Sequence, residues 1–423
     1  MGIKIIDKRK KRHYNILCKK SSRKAGDEAK EFPMDYQGTI SRGLRAPIIR
    51  QGDDLIQITA DCVCGASKEG GFPLQDKDVV AVTEAVLARS QGNYATVDQI
   101  AKDVQNKFGD ETVGLILPIF SRNRFSMILK GISKGVKKLI VQLAYPSDEV
   151  GNSFVSVEQM MEKGVNPYSD VFTVDEFRKT FGDVRHIFTG VDYIDFYQKT
   201  GNCEVILANN PCEILKHTKY VINADIHTRK RTKNILLKAG ATKVVSLDEI
   251  LTESVDGSGY NPQYGVLGSN LATNDSVKLF PRDAQAFVEG LQAELKKRTG
   301  KNIECMVYGD GAFKDPVGGI WELADPVASP AFTAGLQGKP NEIKLKYLAD
   351  NDLAGLSGEE AVEAMKKMIR DKEEDLVNND KSLGTTPRQL TDLLASLSDL
   401  TSGSGDKGTP IILIQNYFKN FSM

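Results

Sequence analysis

The chain has 423 residues, 40% of them hydrophobic, and its 56 basic residues are balanced by 56 acidic ones. That length exceeds one ordinary core and predicts two or three domains, and the apolar share excludes a disordered chain. Zero net charge argues against a general nucleic-acid or membrane-surface binder, which carries a basic excess.

No run of about 18 apolar residues is present, so no transmembrane helix is expected. The opening "MGIKIIDKRKKRHYNILCKK" is basic but lacks the apolar stretch of a signal peptide. Six cysteines are scattered without a paired CxxC pattern, which excludes a disulfide framework. Cys62 and Cys64 lie on an expected helix, point to different faces, and read as small core residues. A cytoplasmic location is expected.

Residues 1–45 are polar, basic and turn-rich. A short extended piece then leads to a turn at Gly52 and a helix that Asp53 or Asp54 can cap. The turn Asp76–Asp78 precedes a buried strand, Val79–Val82, and "VDQIAKDVQNKF" reads as an amphipathic helix. From about 113 to 250 the pattern alternates. "KKLIVQL", "VRHIFTG", "CEVILAN", "KYVINAD" and "TKVVSL" each predict a strand, and "TVDEFRKTF" and "RKRTKNILLKAG" predict helices between them. Such alternation predicts a mostly parallel sheet and an α/β fold. No GxGxxG occurs there, so the dinucleotide fingerprint is missing. Further on come the helix "AQAFVEGLQAELKKRTG", the strand "IECMVYGD", a charged helical stretch over 351–382, and a closing helix, Gly/Ser loop and strand.

Chemistry is concentrated at a few points. Asp310 follows an apolar run, between two glycines that let a ligand approach the backbone. A carboxylate so placed suits Mg2+ or Mn2+, which take oxygen ligands; a turn-capping aspartate is the plain alternative. The loop "SGSGDKG" (402–408) offers backbone N–H groups to a phosphate but lacks the Lys-Ser/Thr of a Walker motif. Arg89 could hold a phosphate. "SRNRF" (121–125) could grip a carboxylate or phosphate, "HTRKRTK" (227–233) reads as a solvated helix face, and "YPSDEVGN" (145–152) follows a strand where α/β proteins place ligand loops. The histidines, His13, His186, His217 and His227, have no metal-ligand spacing, which argues against a zinc hydrolase.

Taken in order, "APIIRQGDDL" (46–55), "TEAVLARSQGN" (83–93), "GVLGSNLATNDSVKLFPRD" (265–283), "VYGDGAFKDP" (307–316) and "SGSGDKGTPIILIQN" (402–416) resemble the blocks of the coenzyme F-420-0:gamma-glutamyl ligase family. The resemblance implies an α+β ligase-like core in two parts, 46–112 and 256–423. An N-terminal extension (1–45), an inserted Rossmann-like parallel α/β domain (113–255) and a charged helical insertion (351–382) complete the expected organisation. It also implies an amide ligase that uses GTP, or ATP, and a divalent metal to join glutamate to a small-molecule carboxylate through an acyl phosphate, acting as a homodimer without nucleic acid or membrane.

By the same resemblance, Asp310 is a catalytic metal ligand and Lys314 a nearby catalytic cation. Ile48, Ile49, Arg50, Gln51, Glu84, Ala85, Arg89 and Asn270 face the nucleotide, and Ser402, Gly403, Ser404, Gly405 and Asp406 form the phosphate loop. The pattern departs at Leu267, where the family has its other metal aspartate; Asp275 is the expected substitute. Two alternatives stay open: a non-catalytic binding protein of this fold, and a nucleotide-dependent enzyme centred on the 113–250 region.

Overall fold

The described residues form these strands in chain order: β1 Ile40–Leu44, β2 Val79–Thr83, β3 Tyr94–Thr96, β4 Thr112–Leu117, β5 Lys138–Leu143, β6 Phe172–Thr173, β7 Glu204–Leu207, β8 Tyr220–Asn223, β9 Lys243–Ser246, β10 Asn270–Thr273, β11 Ser276–Lys278, β12 Glu304–Tyr308, β13 Phe313–Lys314, β14 Trp321–Glu322, β15 Ala331–Phe332 and β16 Ile411–Gln415. The structure is a computed structural model. It describes residues 37–117, 120, 125–148, 153, 155–186, 190–309, 313–314, 321–322, 328–376, 379–382, 389–402 and 406–423. Residues Thr39–Met423 form one compact unit.

The first large sheet has the order β1-β16-β2-β12-β15. Its central strands are apolar but for Glu304, Gln415 and Thr83 at their ends, because both faces are covered. Val80, Val82, Cys305, Val307, Ile411 and Leu413 pack on helices Leu55–Gly70 and Ala284–Thr299. Val79, Ala81, Met306, Ile412 and Ile414 pack on the other side with Leu394 and Ala395 of helix Leu390–Ser402. Helix Leu55–Gly70 starts at Asp54, whose carboxylate accepts from the Gln57 N–H, so Asp54 and not Asp53 is its cap. Cys62 and Cys64 on this helix are only half-buried; among the described residues the fully buried cysteine is Cys305.

The second large sheet has the order β6-β7-β5-β4-β8-β9, in which β7, β5, β4, β8 and β9 are all parallel. Helix Val97–Phe108, held by a Thr96/Gln99 capping box, packs beside helix Ser126–Lys134 on one face, and helix Arg229–Lys238 lies on the other through Leu236. A capping box of this kind stabilises a helix by about 1 kcal/mol. The hairpin β10–β11 pairs with β3 in a separate three-stranded sheet.

Three sequence expectations change. The central strand β4, "TVGLIL", escaped the strand reading; its Gly114 makes room for the Ile214 side chain, which a Cβ would meet at 2.3 Å. "VRHIFTG" is not a strand over its described residues 184–186, and the sheet edge is taken instead by β6, antiparallel to β7. Residues 40–44, read as part of a turn-rich extension, are β1, an edge strand paired with β16.

Candidate functional site

Register brings four distant segments to one edge of the five-stranded sheet. In the parallel pair of β2 and β12, Thr83 lies opposite Tyr308, so Glu84 and Gly309 leave the sheet side by side. Strand β16 is antiparallel to β2 with Ile411 opposite Val82, so residues 406–410 arrive at that same edge; the Thr83 N–H donates to the Pro410 carbonyl at 3.1 Å. Leu44, the last residue of β1, pairs with Ile411, and the Ala46 N–H donates to the Gly408 carbonyl at 3.2 Å. The loop 46–52 therefore starts there too.

The loop is tied down. The Arg50 N–H donates to the Asp53 carboxylate at 2.6 Å, and the Gly52 N–H donates to the Ser90 carbonyl at 2.8 Å. Ile49 is buried in the core, which turns Ile48 outward, 76% exposed; Arg50 and Gln51 are exposed as well. Gln51 lies over Gly92, whose φ is +61° and where a Cβ would sit 2.3 Å from the Gln51 amide carbon. Only glycine fits both that backbone and that contact.

Glu84 is the first residue of helix Glu84–Ser90 and is 4% exposed. The Asn270 side-chain amide donates to its carboxylate at 3.3 Å. Next to Asn270, the Ser269 hydroxyl is buried and makes no hydrogen bond. Ala85 is half-buried, and Arg89 is exposed in the last turn of the helix. Ser402 ends helix Leu390–Ser402, and its carbonyl accepts from the Thr409 hydroxyl at 3.1 Å, closing the base of the loop that contains Asp406.

The structure thus brings together Ile48, Ile49, Arg50, Gln51, Glu84, Ala85, Asn270 and the segment entering β16. It does not bring Asp275 to them. Asp275 is exposed at the turn of the β10–β11 hairpin, and its carboxylate accepts from the Thr273 hydroxyl at 2.6 Å. Three residues of strand at about 3.3 Å each carry the chain some 10 Å from Asn270 to that turn. Leu267 is 1% exposed in the apolar core. Asp310, Gly403, Ser404 and Gly405 lie outside the described residues, and of Lys314 only the backbone pairing with Trp321 is described. Among the described residues, no three His, Cys, Asp or Glu side chains form a metal-binding group.

Sequence reasoning missed the side chains that lock this edge to the β3 and β10–β11 region. Gln91 makes a reciprocal pair with the Arg282 backbone, accepting from its N–H at 2.8 Å and donating to its carbonyl. Fully buried Asn93 donates to the Tyr260 and Phe280 carbonyls at 3.1 and 2.6 Å and accepts from the Tyr260 N–H at 3.0 Å. A polar "QGN" directly after an apolar helix was the only local signal.

A mixed α/β chain whose loops converge on one sheet edge, with a buried carboxylate and an amide at a helix start, has the make-up of a small-molecule enzyme. The chain belongs to the F420-0:gamma-glutamyl ligase family, whose model matches residues 43–416. No curated protein matches it. No described helix is long and apolar enough to cross a membrane.

Proposed function

We propose that the chain is an amide ligase that joins the amino group of glutamate to a small-molecule carboxylate, with GTP as phosphoryl donor and Mg2+ or Mn2+. The observation that carries this reading is the convergence of the 46–52 loop, Glu84, Asn270, the 406–410 segment and the chain leaving β12 on one sheet edge. Family membership supports the glutamyl chemistry.

A carboxylate is a poor acyl donor because its leaving group would be oxide. Its oxygen attacks the γ-phosphorus of GTP and GDP departs; the glutamate amine then attacks the acyl carbon, phosphate departs and the amine loses a proton. The chain's contribution is positioning and charge control. Backbone N–H groups of 403–408 cradle phosphate, Arg50 and Arg89 supply positive charge, and exposed Ile48 offers an apolar surface to the base. Glu84 holds Asn270 by accepting its amide proton, which fixes the amide oxygen for a ligand. The donor chemistry suits a hard cation: all the groups are oxygens, and the buried Ser269 hydroxyl lacks a partner. Asp310 would hold that cation, which would supply neutralisation of the charge developing on the phosphates.

A second reading, nucleotide binding without turnover, is favoured by one observation: Leu267, where the family resemblance places a metal aspartate, is sealed in the core. Calorimetric titration of GTP with and without Mg2+, followed by measurement of GDP release with glutamate and a panel of carboxylates, tests both. Metal-dependent binding with glutamate-dependent GDP release supports the ligase. Binding without release supports the second reading, and no binding of GTP or ATP removes both.

A further inference from the structure

The six-stranded sheet carries a second site of a different kind. From β4 the chain winds to β5 and β7 on one side, then crosses to β8 and β9 on the other. Ligands of open parallel sheets bind at the carboxyl ends of the strands where the winding reverses. A cavity of about 230 Å3 lies there, lined by residues at the ends of β4, β5, β7 and β8, among them Ile116, Gln142, Asn209 and Asp225, and by Thr228 and Arg231.

Gln142 in this cavity is 2% exposed. Its amide nitrogen donates to the Ala208 and Asn210 carbonyls at 3.0 and 2.9 Å. Those two bonds fix which way the amide faces, and its oxygen is left with no donor. A buried acceptor without a partner is costly, and a ligand O–H or N–H would relieve it.

The other end of the crevice calls for an anion. Thr228 and Arg231 also border a second, open cavity of about 450 Å3 with His227, Arg229 and Lys230, at the start of helix Arg229–Lys238. The first turn of that ten-residue helix carries three cations and no acid, against the preference for negative charge at a helix N-terminus. Arg229 is neutralised by Asp248 at 2.8 Å. Thr228, the N-cap, gives the helix no side-chain cap, because its hydroxyl donates to Asp225. Asp225 also accepts from the Thr228 N–H at 2.7 Å and the Thr232 hydroxyl at 2.6 Å. Its oxygens are thus hydrogen-bonded within the turn; Lys230 and Arg231 are exposed beside N–H groups that have no side-chain cap, and Arg231 also donates to the Thr228 hydroxyl at 3.2 Å.

We propose that this crevice binds a small phosphorylated molecule whose far end bears hydroxyl or amino groups, a sugar phosphate or nucleoside monophosphate. The phosphate sits at the helix start against Lys230 and Arg231, and a hydroxyl or amino group donates to the Gln142 oxygen. The site is distinct from the edge proposed for GTP.

Calorimetry on the full chain with ribose 5-phosphate, AMP, GMP, inorganic phosphate and glutamate tests this. Expected is one-to-one binding of a sugar phosphate or monophosphate at least tenfold tighter than inorganic phosphate. It should weaken at least tenfold in the exposed double variant Lys230→Ser/Arg231→Ser and again in Gln142→Leu, while GTP binding in the surface variant stays at its wild-type value. Tighter binding by AMP or GMP than by ribose 5-phosphate identifies the nucleoside. If no phosphorylated probe exceeds inorganic phosphate, if glutamate alone binds, or if the surface variant binds like wild type, the proposal is wrong. Should Gln142→Leu fail to fold, the surface variant alone decides.

Discussion

Asn93 is the residue whose loss should cost this chain most for its size. It follows the helix bearing Glu84 and ties it to two segments that flank the Asn270 hairpin. In Asn93→Ala the Tyr260 N–H and the Tyr260 carbonyl lose their side-chain partner. The Phe280 carbonyl keeps a bond from the Asn261 amide at 3.3 Å. Two newly orphaned, part-buried groups at roughly 1–3 kcal/mol each, with little from the retained one, give a loss of about 2–6 kcal/mol. Urea denaturation followed by circular dichroism reads the loss as a fall in midpoint at constant slope. A loss below about 1 kcal/mol would refute the claim that these bonds lie in a dry site. Asn93→Asp should be no better than Ala, because it keeps the acceptor and turns the donor into a second oxygen facing two carbonyls.

Other perturbations address the site and the titrating groups. Gly92→Ala should weaken GTP binding by displacing Gln51 and should destabilise by about 1 kcal/mol or more from its left-handed backbone; unchanged affinity in titration would detach Gln51 from the nucleotide. Asp310→Asn should abolish the metal dependence of GTP binding while the circular dichroism spectrum is retained; equal metal affinity in the folded variant would remove its role as ligand. Burial holds the His186 imidazole below its usual 6.5, only partly countered by Asp148. The unfolded chain then binds the proton more readily, so this contribution is full above pH 6.5 and is lost as pH falls through the lower folded value. His186→Asn should flatten that decline in urea midpoints between pH 7 and 5. Burial pushes the Cys203 thiol up to about 12 and raises Cys305 well above the ordinary thiol range, so mass spectrometry should find both unmodified after iodoacetamide treatment of the native chain at pH 8.

The parts legible in the sequence were those whose signal is local. Strands β2, β12 and β16 announce themselves because both faces are covered, which leaves no polar interruption. Helix Val97–Phe108 carries its own capping box. Strand β1, "ISRGL", could not be seen this way: it pairs on one side only and leaves polar side chains half-exposed, so its identity depends on β16, more than 360 positions away. "VRHIFTG" misled for the opposite reason, since apolar residues between charges also fit a stretch that buries single side chains without sheet pairing, as Val184 and His186 do. The Glu84–Asn270 contact joins residues 186 positions apart. No spacing rule relates them; the resemblance of blocks named both, and their contact depends on how the hairpin β10–β11 meets the start of helix Glu84–Ser90.

The position of β16 between β1 and β2 has a consequence for the order in which the molecule is made. A chain leaves the ribosome from its N-terminus, and segments fold as they become available. The parallel strands β4, β5, β7, β8 and β9 lie within 112–246 and have all their sheet partners early. The five-stranded sheet cannot close until residue 415 has emerged, because β1 has no partner and β2 has an open side until then. For most of synthesis, the loop 46–52 and Glu84 therefore have nothing to fasten the edge they will share. The candidate site is the last thing this chain can assemble, and ribosome-bound chains arrested before β16 should protect the 112–246 region from protease while the 40–92 region is cut.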